Sequence, residues 1–354
     1  MSLVFEHTTL GQRVLFGSGK AAENLAAEVA RIGPTKVMVI ASEFEAQIAA
    51  TVSHSIEVTL NYDDVAPHVP IEKAEKARAA AAEHGIGLLV CIGGGSTTGL
   101  AKAIAMTLDL PIIAVPTTYA GSEATNVWGL TEASRKTTGV DDKVLPVTVI
   151  YDATLTVSLP VDLSVASGLN ALAHCVDSMW APRADPINQA LAAEGIRALN
   201  EGLPLVKDRP DDLAGRELAL YGAYLSAVAF ASAGSGMHHK ICHVLGGAYN
   251  LPHAQTHATV LPYVLAFNAP AAPDAARRLA AAFGADDASS GLNLLRERLD
   301  APTALKNHGL AEEDIPEAVE LILPKIPASN PRTVTRENLT TLLRAAHAGS
   351  APGL

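Results

Sequence analysis

A parallel, doubly wound α/β domain followed by an all-helical domain is the architecture this sequence predicts. Three observations predict it. Apolar runs of strand length alternate with alanine-rich helical stretches through the first half, strand-like runs almost vanish after Leu159-Pro160, and a buried run ending in Cys91-Ile92 opens directly into Gly93-Gly94-Gly95-Ser96 and a helix. Val14-Leu15-Phe16 is a short strand closed by Gly17-Ser18-Gly19, with a helix following through Ala30. Residues 36–41 form a continuous apolar strand, as a sheet covered on both faces requires. A helix over 71–84, a strand over 87–92, a helix over 98–106 and a strand over 111–115 repeat the unit. Beyond it, Asp162 is placed to cap a helix over 165–179, and 188–199, 217–231, 274–283 and 338–347 read as further helices. Alanine-rich stretches such as 227–233 point to close helix packing. The boundaries expected are 1–158 and 159–354, with a ligand in a cleft between the halves.

Bulk properties narrow the class. The 354 residues suffice for two cores, and no charge-free run approaches the roughly 20 residues of a membrane helix. A net charge of −11 without a basic patch argues against nucleic acid as a partner. Cys91, Cys175 and Cys242 are too few and scattered for a disulfide framework and sit in apolar surroundings, as buried thiols do. The first twenty residues lack a basic start with a long apolar core, so a cytoplasmic enzyme without a membrane partner is expected.

Two glycine- and hydroxyl-rich turns follow consecutive strands. In the first, Gly94, Gly95, Ser96 and Thr98 open a helix, where free N–H groups and the helix dipole suit a phosphate. The second, Thr117-Thr118-Tyr119-Ala120-Gly121-Ser122, lies at the next strand's carboxyl end, and the pair favours a dinucleotide. In the second half, residues 236–257 hold five of the chain's twelve histidines. His239 and His243 are four apart and share a helix face; Gly246-Gly247 are expected to end that helix, and a loop through Asn250-Leu251-Pro252 to return His253 and His257. Asn170 and His174 form a second pair four apart. Trp128 and Trp180 read as packing, Asp141-Asp142 as a solvated turn, and His68 and His84 as surface residues.

In order and spacing these elements resemble the iron-containing, group III alcohol dehydrogenase family over nearly the whole chain. The resemblance rests on Gly93–Ser96, on Thr117-Thr118 with Ser122-Glu123-Ala124-Thr125, on Lys143, and on Asn170, His174, His239, His243 and His253. It implies a dehydroquinate synthase-like fold, an NAD(P) cofactor and a homodimer joined through N-terminal strands. By position it implies Gly94, Gly95 and Ser96 at the pyrophosphate, Ser42 at the adenosine end, Thr117, Thr118 and Ser122 toward the ribose and nicotinamide, and Lys143 at the nicotinamide ribose. The family's metal ligands fall on Asn170, His174, His239 and His253, and His243 falls on a histidine beside the nicotinamide.

Two departures stand out. Gly99 replaces an acidic residue, and Asn170 replaces the aspartate that partly neutralises the ion. An amide is a weak neutral donor, so no bound metal is favoured; His174, His239 and His253 are the ligands if one is present. This version resembles the maleylacetate reductase branch, which implies reduction of a small dianionic keto-acid, maleylacetate, to 3-oxoadipate. There, hydride reaches the conjugated alkene, Asn170 and imidazolium groups of His174, His239 and His253 hold the enolate, and His243 or a neighbour protonates the carbon. Ser42-Glu43 offers a 2′-phosphate no basic partner, which leans toward NADH. The rival readings are a metal-dependent alcohol or diol dehydrogenase, a related lyase using NAD transiently, and a nucleotide-binding protein without catalysis.

Overall fold

A computed structural model describes residues 4–33, 36–132 and 135–352, which form two units. In the α/β unit the order is β1 (Arg13–Phe16), α1 (Ala21–Ile32), β2 (Val37–Ile40), α2 (Ala46–Ser53), β3 (Leu60–Tyr62), α3 (Ile71–Glu83), β4 (Leu88–Gly93), α4 (Gly95–Leu108), β5 (Ile112–Pro116), β6 (Val127–Glu132), β7 (Arg135–Val140) and β8 (Thr148–Tyr151). Six strands make one parallel sheet in the order β1-β8-β5-β4-β2-β3. Every residue of β2 and β4 is buried, because the sheet is covered on both faces. Side chains alternate: Met38, Ile40, Leu89 and Cys91 pack on one face with α3 and α4, while Val37, Val39, Leu88, Val90 and Ile92 pack on the other with α1 and α2.

After β2 the chain builds outward to β3 and then crosses to β4 on the other side of β2. The strand order therefore reverses between β2 and β4, and in such sheets ligands bind outside the carboxyl ends of the strands at that point. Pairing of Ile40 with Cys91 and of Gly93 with Pro116 sets the turns after β2, β4 and β5 side by side. The antiparallel hairpin β6–β7 was not part of the sequence expectation. It packs Trp128 against Gly139, where a Cβ would lie 2.6 Å from the indole ring.

The helical unit contains α5 (Val161–Ser178), α6 (Pro186–Asp208), α7 (Leu213–Ala233), α8 (Met237–Tyr249), α9 (His253–Asn268), α10 (Pro273–Phe283), α11 (Ala288–Arg298), α12 (Ile315–Ile322) and α13 (Arg336–Ala348). The seam between α6 and α7 is lined by glycine as much as by alanine. A Cβ on Gly202 would stand 3.0 Å from the Gly215 carbonyl oxygen, so the two backbones touch there. Asp185 caps α6 through the N–H groups of Ile187 and Asn188, and His7 Nδ1 lies 2.8 Å from its other carboxylate oxygen. Residues 4–9 group with the helices, and Leu10–Pro160 form the α/β unit, so the break after Pro160 lies close to the expected one after 158. Asp162 also lies inside the first turn of α5 instead of capping it.

The region holding five histidines departs from expectation in one instructive way. Gly246 and Gly247 remain helical, and α8 ends at Asn250, whose left-handed backbone (φ 53°, ψ 34°) reverses the chain. Leu251-Pro252 then leads straight into α9, so His253 and His257 occupy its first two turns instead of a loop. All five histidines are consequently held by helices.

Candidate active-site residues

In the α/β unit, Gly94 is the N-cap of α4, and Gly94, Gly95 and Ser96 are half-buried at its open end. A Cβ on Gly94 would lie 3.0 Å from the Thr118 methyl carbon, and one on Gly95 would lie 3.4 Å from Ala120 Cβ. The two small-residue turns are therefore in contact, with Thr118 and Ser122 half-buried and Thr117 buried beneath them. Thr98 is not part of that surface. It is buried, its N–H donates to Gly94 O, and its hydroxyl lies 4.0 Å from Cys91 Sγ inside the fold. Gly99 has a steric reason, since a Cβ there would stand 2.7 Å from Val69 Cγ2.

Ser42 follows β2 and its hydroxyl bonds Glu45. Burial raises the Glu45 carboxyl above its usual range, against hydrogen bonds from the backbone of Ser42, Glu45 and Gly94. A carboxylate thus reaches the edge of the glycine turn, a residue that the sequence reading passed over. Lys143 lies apart from the glycine turn. Its Nζ lies 3.4 Å from Asp109 Oδ1, at the C-cap of α4, so the structure holds it at the end of a 14-residue helix opposite the glycine turn. At the usual helical rise those ends are roughly 20 Å apart.

Lys102 was also missed, because a lysine in an alanine-rich helix reads as a solvated face. Its ammonium is fully buried and donates to Ser122 O (2.7 Å), Thr125 O (2.8 Å), Thr125 Oγ1 (3.1 Å) and Val127 O (2.7 Å). Beside it, buried Glu123 accepts from Tyr151 Oη at 2.8 Å, and its backbone carbonyl accepts from Gln12 Nε2. Burial pulls the lysine down to about 7 and pushes Glu123 up, and their mutual attraction opposes both shifts. Four acceptors around one nitrogen favour the ammonium form, which ties down the segment carrying Ser122.

In the helical unit, α5 contributes Asn170 and His174, α8 contributes His238, His239 and His243, and α9 contributes His253 and His257. Helical spacing brings the predicted members together. The His174 and His239 rings stack at 4.8 Å (interplanar 15°), His239 and His243 meet edge-on at 5.9 Å, and His243 and His253 stack at 6.5 Å. His257 lies 4.4 Å from His253 and 4.9 Å from His239, and His238 Nε2 is 3.0 Å from His257 Nδ1. Depth is graded: His238, His239 and His257 are fully buried, His243 is half-buried and His253 is exposed.

Burial sets the charge of the deep rings. Desolvation lowers His174 to about 4 and His238 to about 3, and lowers His239 and His257 well below the ordinary 6.5, with repulsion among the rings adding to it in the last three. Burial therefore favours the neutral form of the deep rings, against the expectation of imidazolium groups at His174 and His239. His239 Nδ1 lies 2.8 Å from the buried Asp177 carboxylate, which also accepts from Gly236 N. Burial pushes that carboxyl up to about 7. With Asp177 ionised, the contact places the His239 proton on Nδ1 and the lone pair on Nε2.

Asn170 Oδ1, His174 Nδ1 and His239 Nε2 are buried without a protein partner. Electron pairs on Asn170 Oδ1 and His239 Nε2 fit a divalent cation, and Asp177 behind His239 supplies the negative charge that Asn170 lacks. The donor set therefore fits a metal better than the replacement of one carboxylate suggests.

Two family models match this chain: iron-containing alcohol dehydrogenase over residues 11–153, and the C-terminal region of the Fe-containing alcohol dehydrogenase family over 164–347. The maleylacetate reductase of Sphingobium indicum is 43% identical over 352 residues, covering 98% of this chain and 99% of that protein. Among solved structures, an iron-containing alcohol dehydrogenase from Corynebacterium glutamicum is 66% identical with a TM-score of 0.98, covering 99% of each chain. The maleylacetate reductase of Rhizobium sp. strain MTP-10005 is 41% identical with a TM-score of 0.92, again covering 99% of each chain.

Proposed function

Because this chain belongs to the iron-containing alcohol dehydrogenase family, we propose that it is an NADH-dependent oxidoreductase that reduces maleylacetate to 3-oxoadipate. The observation that carries the reading is a buried Asn170 one helical turn before His174 in the histidine cluster, together with full-length similarity to maleylacetate reductases. The glycine turn and its neighbour bind the cofactor through backbone N–H groups at the start of α4, with Gly94, Gly95 and Ser96 at the pyrophosphate and Thr117, Thr118 and Ser122 toward the nicotinamide. Glu45 at the edge of that turn disfavours a 2′-phosphate, which supports NADH over NADPH.

Hydride from the nicotinamide adds to the alkene carbon β to the ketone, and the electron pair displaced from the double bond collects as an enolate on the ketone oxygen. A proton then reaches the α carbon, the ketone re-forms, and NAD⁺ is left. A neutral Asn170 imposes no repulsion on a dianionic substrate, as an aspartate would. His253 is exposed and His243 half-buried, so either ring can exchange its proton with water and deliver it to carbon.

Asn170, His174, His239 and His253 would hold a divalent ion, which when bound supplies Lewis-acid polarisation of the ketone. A metal-independent reading has its own support in the neutral amide at 170: when the Asp177 carboxyl, raised to about 7, carries the proton, it donates to His239 Nδ1 and leaves the Nε2–H form of that ring to donate to the enolate. One assay addresses both. NADH oxidation with enzymatically generated maleylacetate is expected at turnover rates far above those with simple alcohols or diols; preference for an alcohol would reject the function. Loss of that activity on exhaustive chelation, with recovery on adding zinc or iron, would select the metal reading. We also propose a homodimer joined through N-terminal strands, since β1 lies at the sheet edge and Val4 and Phe5 are exposed.

A further inference from the structure

The helices carry a second donor set interleaved with the one just described. On α8, His238 and Cys242 are four apart, like His239 and His243 one residue later; on α9, His257 lies one turn beyond His253. His238 Nε2, Cys242 Sγ and His257 all offer donor atoms within 4.8 Å of one another, and all three side chains are buried. We propose that His238, Cys242 and His257 form a thiolate-bearing site for a soft divalent cation of the zinc type, distinct from the set containing Asn170.

The spacings match the ion. A tetrahedral zinc with bonds of about 2.05 Å to nitrogen and about 2.3 Å to sulfur separates an N,S pair by about 3.5 Å and an N,N pair by about 3.3 Å. Cys242 Sγ lies 3.6 Å from His238 Nε2, and His238 Nε2 lies 3.0 Å from His257 Nδ1, a proton-bridged separation that has to open by only a few tenths of an ångström. The softness of the set differs from its neighbour. Imidazole with thiolate selects zinc-like ions, whereas an amide with imidazoles does not discriminate in that way. On binding, the ion displaces the thiol proton, the proton shared by the two rings moves to the outer nitrogen of its own ring, His238 Nδ1 or His257 Nε2, so that both imidazoles stay neutral, and water takes the fourth position. Charge is balanced locally, because the Cys242 thiolate and the nearby Asp177 carboxylate together match a dication. His253, exposed and 4.4 Å from His257, marks the side from which the ion arrives.

Cobalt(II) is the probe, read by absorption instead of turnover. Chelator-stripped protein titrated with cobalt is expected to develop a near-ultraviolet thiolate-to-cobalt charge-transfer band, saturating at one ion per chain and bleached by zinc. The band is expected to vanish in Cys242→Ser and to survive in a Cys91→Ser, Cys175→Ser double variant, the only other thiols in the chain. Zinc X-ray absorption on the unaltered protein needs no variant and is expected to show a sulfur neighbour at about 2.3 Å. Cobalt bound with nitrogen and oxygen ligands alone, a band persisting in Cys242→Ser, a sulfur-free zinc shell, or no ion retained through desalting would each overturn the proposal. The Asn170 set contains no sulfur, so its occupation cannot imitate the expected spectrum.

Discussion

The two units treat buried polar groups in opposite ways. In the α/β unit a buried ammonium, Lys102, has four acceptors, and a buried carboxylate, Glu28, is bridged by Arg13, Arg31 and Thr148. In the helical unit eight buried side-chain atoms lack a protein partner, on Asn170, His174, Asp177, Trp180, Ser235, His238, His239 and His257; among the described residues none lies in the α/β unit. An unsatisfied buried polar atom costs about 1–3 kcal/mol, so a cluster of them is retained for what it binds. The proposed cofactor site would work through backbone donors at the start of α4 that are complete once the fold forms. The histidine site keeps lone pairs in reserve for a cation or a reacting oxygen.

That contrast makes the outer histidines the place of largest effect. His243→Ala and His253→Ala are each expected to lower kcat by about 10²-fold or more while leaving the thermal midpoint close to wild type, since both rings reach solvent. Steady-state kinetics beside a thermal melt separate the two readouts. Near-normal turnover in both variants would remove the cluster from the chemistry.

Asn170→Asp sharpens the same contrast by restoring a charge. In chelator it is expected to lose activity by roughly tenfold or more, because a carboxylate opposes both the dianion and the enolate. Metal analysis is expected to show more retained zinc or iron than in the parent. A variant equally active in chelator and no richer in metal would mean that position 170 does not face the developing charge.

Lys102→Met tests the satisfied side. It leaves three carbonyls without their donor and frees the segment bearing Ser122, so the expected result is a KM for NADH raised about fivefold, with kcat changed less. Lys102→Arg should restore part of the affinity if a cation is what matters. An unchanged KM in the Met variant would make the network purely structural.

Most of the α/β sheet was legible because continuous apolar runs of strand length between glycine turns and helical stretches carry their meaning locally. The pairs Asn170/His174 and His239/His243 were legible through i, i+4 spacing, whereas His253 was expected on a loop and lies at the start of α9. What escaped depends on distance in space. Lys102 looks like a surface residue until β6 and the Ser122 segment surround it. Gly246-Gly247 suggested a break, yet the packed interior face of α8, with Leu245 and Val244 buried beside them, holds the helix through to Asn250. The charge state of the histidines was misjudged for the same reason, since desolvation is a property of the assembled core.

Acid separates the two units by a smaller but diagnostic effect. His174 and His238 fall from the ordinary 6.5 to about 4 and about 3 on folding, so the unfolded chain binds more protons throughout that window. Stability contributed by their neutral forms is full above pH 6.5 and is lost as pH falls toward those values, at up to about 1.4 kcal/mol per pH unit per ring. Asp177, raised to about 7 by burial, acts the other way and offsets one ring, while His239 and His257, also lowered well below 6.5, keep the net effect in this direction. A bound cation would act in the same direction as the rings, because it too requires them neutral. Glu28 behaves differently: burial raises its carboxyl, but hydrogen bonds from Arg31, Thr148 and Arg13 outweigh that and hold it below 4.5. Its contribution persists until pH drops below 4.5. Hydrogen exchange between pH 6.5 and 4.5, corrected for intrinsic rates, should therefore show α5 and α8 losing protection before β1, α1 and β8. Simultaneous loss in both units would mean that the deep histidines take up no protons as the fold opens, and that their neutrality has another origin than burial.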